Sequence, residues 1–105
     1  MVEELLVEGT TKENRGMPSE RITHFGLRAA GGFRFKLSFV DVFNLIDMNK
    51  FRFFVWNGGY KAFLMAVTTG GKKRIFAFVD SFKGNYLLAL PECTEDLIIR
   101  EGSDL

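Results

Sequence analysis

Apolar and polar positions along the chain follow two different periods, and the change from one to the other marks out the elements. Leu5-Leu6-Val7 followed by Thr10-Thr11 predicts a first strand. Residues 12–20, with Asn14, Gly16, Pro18 and Ser19, predict a polar loop. Arg21 through Leu27 alternates as a second strand does, and Gly31-Gly32 breaks it. Between Ser38 and Met48 the period lengthens: Phe39, Val42, Phe43 and Ile46 fall at i, i+3, i+4 and i+7, one face of a helix. Ser38 suits the N-cap, Asp41 puts a carboxylate where the helix dipole favours it, and Asn49-Lys50 suits the other end.

Beyond the helix, short alternating runs return. Phe51–Trp56, Tyr60–Thr68 and Arg74–Asp80 predict three strands joined at Gly58-Gly59 and Gly70-Gly71, since paired glycines supply the positive φ of two-residue hairpin turns. Two such turns fix the register. One face then carries Phe51, Phe53 and Val55 opposite Ala66, Leu64 and Ala62, which oppose Ile75, Ala77 and Val79. That face seats the helix. The other carries Arg52, Phe54, Trp56, Lys61, Phe63, Met65, Arg74, Phe76 and Phe78.

Rings on that second face, each worth about 1.5–3 kcal/mol of burial, call for a cover. The cover is the chain's own ends (residues 5–11 and 86–99), a second copy, or a ligand. Pro91 and the Leu97-Ile98-Ile99 run leave room for a short final strand returning to the sheet edge or to the aromatic side. The expected fold is α+β: a single antiparallel sheet in the order ββαβββ, with one helix on one face.

At 105 residues the chain fits one domain, with an ordered core over about 5–99 and an acidic tail at 101–105. Twelve phenylalanines predict an aromatic-rich core. The net charge of +1 argues against a strongly basic nucleic-acid protein, but the charge is segregated. Residues 1–21 carry five acidic and three basic side chains; residues 28–83 carry ten basic and three acidic; residues 84–105 carry five acidic and one basic. A basic centre between acidic ends is either a binding surface or a middle over which the ends fold. The lone Cys93 permits no internal disulfide and suits a reducing, cytoplasmic setting. The opening Met1-Val2-Glu3-Glu4-Leu5 has no basic n-region, so an ordinary signal peptide is not expected. No apolar run approaches the ~20 residues of a membrane span.

Candidate chemistry is sparse. Lys73-Arg74-Ile75-Phe76-Ala77-Phe78-Val79 resembles the signature strand of RNA-recognition motifs, in which rings stack on bases beside phosphate-binding cations. Ile75 stands where that motif has Gly and Ser81 where it has an aromatic, and no second helix separates the strands. The surface it suggests comprises Arg52, Phe54, Trp56, Lys61, Lys72, Lys73 and Arg74. A lone His24 with a lone Cys93 is too small a set for a metal site, and no Gly-rich oxyanion element accompanies them as a nucleophilic pair. None of the paired glycines has the spacing of a phosphate-binding loop. No cofactor and no catalytic residue is expected.

Taken end to end, Arg21-Ile22-Thr23-His24, Phe53-Phe54-Val55 before Gly58-Gly59, and Leu87-Leu88-Ala89-Leu90-Pro91-Glu92-Cys93 resemble a family of small bacterial domains of unknown function. Its members similarly carry an Ile-Thr-His strand, a short helix, a Gly-Gly hairpin and a closing Leu-Leu-x-Leu-Pro-x-Cys. The chain departs at Phe76-Ala77-Phe78, where the family tends to Leu-Arg-Thr, and at Asn85-Tyr86, where it tends to Asp-Asn. The resemblance implies a shared framework role for His24 and Cys93 and brings no activity with it. The functional expectation is a non-enzymatic interaction or accessory module, open to self-association, with single-stranded nucleic-acid binding as the alternative.

Overall fold

A computed structural model describes residues 3–12, 22–57, 59–77, 91–93 and 97–101. Six strands and one helix follow in the order β1 (Glu3–Lys12), β2 (Ile22–Arg28), β3 (Arg34–Ser38), α1 (Phe39–Asp47), β4 (Phe51–Asn57), β5 (Tyr60–Thr69) and β6 (Lys72–Ala77). They form one sheet ordered β3-β2-β1-β4-β5-β6. Each half is an antiparallel meander that starts at the middle of the sheet and works outward.

The two meanders meet at a parallel pair, Glu3–Leu6 of β1 against Phe51–Phe54 of β4, so the sheet is mixed rather than antiparallel. The difference traces to β3, absent from the expected ββαβββ order. The second strand does end ahead of Gly31-Gly32, at Arg28, but both glycines have positive φ and turn the chain into a further hairpin, pairing Arg28 with Arg34 and Leu27 with Phe35. Three strands before the helix, instead of two, leave the chain heading so that β4 returns alongside β1 in the same direction. Parallel neighbours need a crossover connection, and α1 is that connection.

Ser38 joins strand to helix without a loop. It is the last residue of β3, opposite His24, and also the N-cap of α1, where its Oγ accepts from the Asp41 N–H at 3.2 Å. Asn49, just past the helix, takes the left-handed conformation at φ 58°. Beside it, the Lys50 N–H donates to the Leu45 carbonyl.

α1 buries Val42, Phe43 and Leu45 and packs Phe39 and Ile46 against the same core; Leu45 lies outside the expected i, i+3, i+4, i+7 set. The helix reaches five strands, so its cover extends beyond the three post-helical strands to β2 and β3. Phe25 on β2 stacks on Phe39 at 6.2 Å. The register across β4–β6 is the expected one, with Val55 opposite Ala62 and Ala66 opposite Ile75. Thr69 pairs with Lys72 around Gly70-Gly71, both at positive φ, so β6 starts at Lys72 rather than Arg74. Phe78, Val79 and Asp80 lie outside the described residues, as does most of the loop expected at 12–20. Among the described residues, no helix is long and apolar enough to cross a membrane.

Candidate functional site

The sheet face away from α1 is divided by β1, whose outward residues Glu4 and Glu8 each hold two cations. On the β4–β5 side, Glu4 bonds Lys61 at 2.7 Å and faces Arg52 at 3.9 Å. On the β2–β3 side, Glu8 bonds Arg28 at 3.2 Å and Arg34 at 3.0 Å, bridging two arginines that sit opposite each other on adjacent strands. A register shift between Val7 and Gly9 makes this possible: Glu8 is the extra residue of a bulge. The acidic N-terminal segment thus lies in the middle of the sheet and neutralises part of the basic centre.

The same cations cover aromatic rings. The Arg52 guanidinium lies 4.1 Å from the centre of the Phe63 ring, and Lys61 Nζ lies 4.7 Å from that of Phe54. Phe54 also meets Phe63 at 6.1 Å and takes Trp56 edge-on at 5.5 Å and 86°. Phe54 is therefore only 8% exposed, whereas Trp56 stays 52% exposed. Part of the cover over these rings comes from long charged side chains of the same face, not from the chain ends, second copy or ligand expected from sequence.

Of the surface expected from sequence, Arg52, Phe54, Trp56 and Lys61 come together here. Lys72 and Arg74 lie on the same face of β6, further out, with Phe76 opposite Met65. Lys73 does not join them. By alternation it points to the helix side, where Nζ lies 5.1 Å from the Phe43 ring centre. Buried Phe54 supports the surface rather than forming its contact layer.

On the other half of this face, described C-terminal residues lie over Gly9 and Gly26 and reach the β3 edge. Pro91–Cys93 runs beside β1, where the Thr10 N–H donates to the Pro91 carbonyl at 3.0 Å and the Cys93 N–H donates to the Thr10 carbonyl at 3.3 Å. Residues 98–100 then reach the β3 edge: the Lys36 N–H donates to the Ile98 carbonyl and the Arg100 N–H to the Lys36 carbonyl. Ile99 makes a single parallel bridge with Lys36 rather than a full strand.

His24 and Cys93 do not hydrogen-bond each other. His24 Nδ1 lies 3.0 Å from Thr23 Oγ1, whose hydroxyl donates to the Thr11 carbonyl, while the Cys93 thiol rests over Gly26. Among the described residues, no three His, Cys, Asp or Glu side chains gather where a metal ion could be held.

Beside β1 and β4 the face opens into a broad depression of about 1110 Å³. Leu6 and Phe54 give it apolar lining, and Arg28, Arg52, Lys61 and Trp56 surround them. Arg28, Glu4 and Glu8 were not among the residues the sequence singled out. The signal for the two carboxylates is their placement on the outward side of β1 on either side of Leu6, which gains meaning only once the strand order sets β1 between β2 and β4. No family model, curated protein or solved structure matches the chain.

Proposed function

We propose that the protein is a non-enzymatic interaction module that works through the β4–β6 half of its open face and associates with a second copy there. The observation that carries this reading is the set of large apolar side chains left in water on one side of three neighbouring strands. Trp56 is 52%, Met65 42% and Phe76 39% exposed, even with Arg52 and Lys61 laid over the rings between them. Full burial of such a side chain is worth about 1.5–3 kcal/mol and these have roughly half of that still to gain, which summed over three is a drive to pair. The framework contacts of His24 and Cys93 support the non-enzymatic part. Sedimentation equilibrium tests it: the mass should rise with concentration and fall back to monomer in Phe76→Ser. A wild-type chain that stays monomeric at high concentration sinks the dimer.

The alternative, single-stranded nucleic-acid binding, draws support from Trp56 sharing a face with Lys72 and Arg74. Against it stand Glu4 and Glu8, carboxylates placed among the cations a phosphate backbone would need. Trp56 fluorescence that an oligonucleotide fails to quench at low salt ends that alternative.

A further inference from the structure

The depression beside β1 and β4 combines features that a bare apolar patch lacks. Its lining is partly apolar, its polar groups converge, and its volume is ample for a small molecule. Its lining carries the cations Arg28, Arg52 and Lys61, of which Arg52 and Lys61 share the Glu4 carboxylate, so these three outnumber Glu4 by two. Glu3 at the rim brings that surplus down to one. Arg52 and Lys61 are already oriented, each over a ring and both toward the single Glu4 carboxylate. Beside them Trp56, half in water and braced edge-on by Phe54, offers a flat platform for stacking.

From this arrangement we infer that the depression binds a small planar aromatic molecule carrying one anionic group, phosphate or carboxylate. The ring stacks on Trp56. The anion takes Arg52 and Lys61, competing with the Glu4 carboxylate that holds them in the structure. A surplus of one charge suits a single anionic group and not a polyanion, which separates this site from a nucleic-acid groove. The inference goes beyond self-association: it shares Trp56 with the proposed pairing surface but needs neither Met65 nor Phe76, so it is tested at protein concentrations where sedimentation gives monomer.

Trp56 is the only tryptophan, so its indole N–H gives one NMR signal to follow in titrations. Four probes divide the question: adenosine 5′-monophosphate (ring and phosphate), benzoate (ring and carboxylate), adenosine (ring alone) and inorganic phosphate (anion alone). The first or second should shift the signal saturably, and which does so identifies the anion. Adenosine and phosphate should bind markedly more weakly. Glu4→Gln should tighten the preferred probe about fivefold, the scale of removing one exposed charge competitor, and Arg52→Gln should weaken it. The wild-type pattern of the remaining signals verifies folding in both variants. Three results overturn the inference: no shift from either ring-bearing anion in wild type or Glu4→Gln; equal binding of adenosine and its monophosphate together with no effect of Glu4→Gln; or a thymidine oligonucleotide binding far more tightly than the monophosphate with a steep salt dependence. Failure here leaves the sedimentation result untouched, so the two readings fall separately.

Discussion

Gly9 and Gly26 sit directly opposite each other on β1 and β2, and the backbone of Pro91–Cys93 passes over the bare patch they leave. A Cβ on Gly9 would lie 2.7 Å from the Pro91 carbonyl oxygen, a backbone atom held by its bond to the Thr10 N–H. Neither side can yield cheaply. Gly9→Ala should therefore destabilise the fold by about 1–3 kcal/mol, as overpacking does, and loosen residues 91–93. Chemical denaturation gives the first quantity, and amide exchange at Thr10 and Cys93 the second. A variant as stable and as protected as wild type contradicts the contact.

Opposite it, a Cβ on Gly26 would meet the Cys93 sulfur at 2.9 Å, and a side chain can be shortened. Gly26→Ala alone should cost stability. Combined with Cys93→Ala it should recover much of that loss, giving a coupling energy of about 0.5–3 kcal/mol in a double-mutant cycle. Strict additivity of the two changes would show that they do not touch.

These contacts also mark how far the sequence could be followed. The helix with its Ser38 cap and the register of β4–β6 were legible, because i, i+3, i+4 spacing and paired glycines are local signals. The hairpin into β3 carried the same signal in Gly31-Gly32, with Phe35 and Leu37 alternating against Arg34, Lys36 and Ser38, yet a glycine pair can end a strand as well as turn it. Missing that strand hid the parallel β1–β4 pair, and with it the placement of Glu4 between Arg52 and Lys61. That placement is a tertiary fact: 48 residues separate Glu4 from Arg52, and no pattern along the chain joins them. Charge segregation pointed to it only as one of two alternatives. The face of Lys73 was different, since counting by twos from Ile75 places it on the helix side.

Ser38 allows a test of the strand-to-helix junction. Its Oγ accepts from the Asp41 N–H, so Ser38→Ala leaves one donor of the first helical turn without that acceptor. Thermal or urea unfolding should report a loss of about 1 kcal/mol, with Ser38→Asp close to wild type because aspartate is an equally good cap. If alanine and aspartate were equivalent, the cap would contribute nothing.

The two faces of the sheet should respond to truncation in opposite ways. Phe53 is fully buried beneath α1, while Phe76, on an outward position of β6, keeps 39% of its surface in water. Phe53→Ala removes a ring from a close-packed site and should cost about 3–5 kcal/mol, a large share of the stability of a domain this size. Phe76→Ser removes a ring that packs partly against solvent, so its cost should be well under half of that, while the tendency to self-associate falls. Urea midpoints at a fixed low protein concentration compare the stabilities without a contribution from association, and light scattering at high concentration reads the second effect. Equal destabilisation by the two changes would mean that Phe76 is as buried as Phe53, leaving the open face with too little exposed apolar surface to recruit a partner.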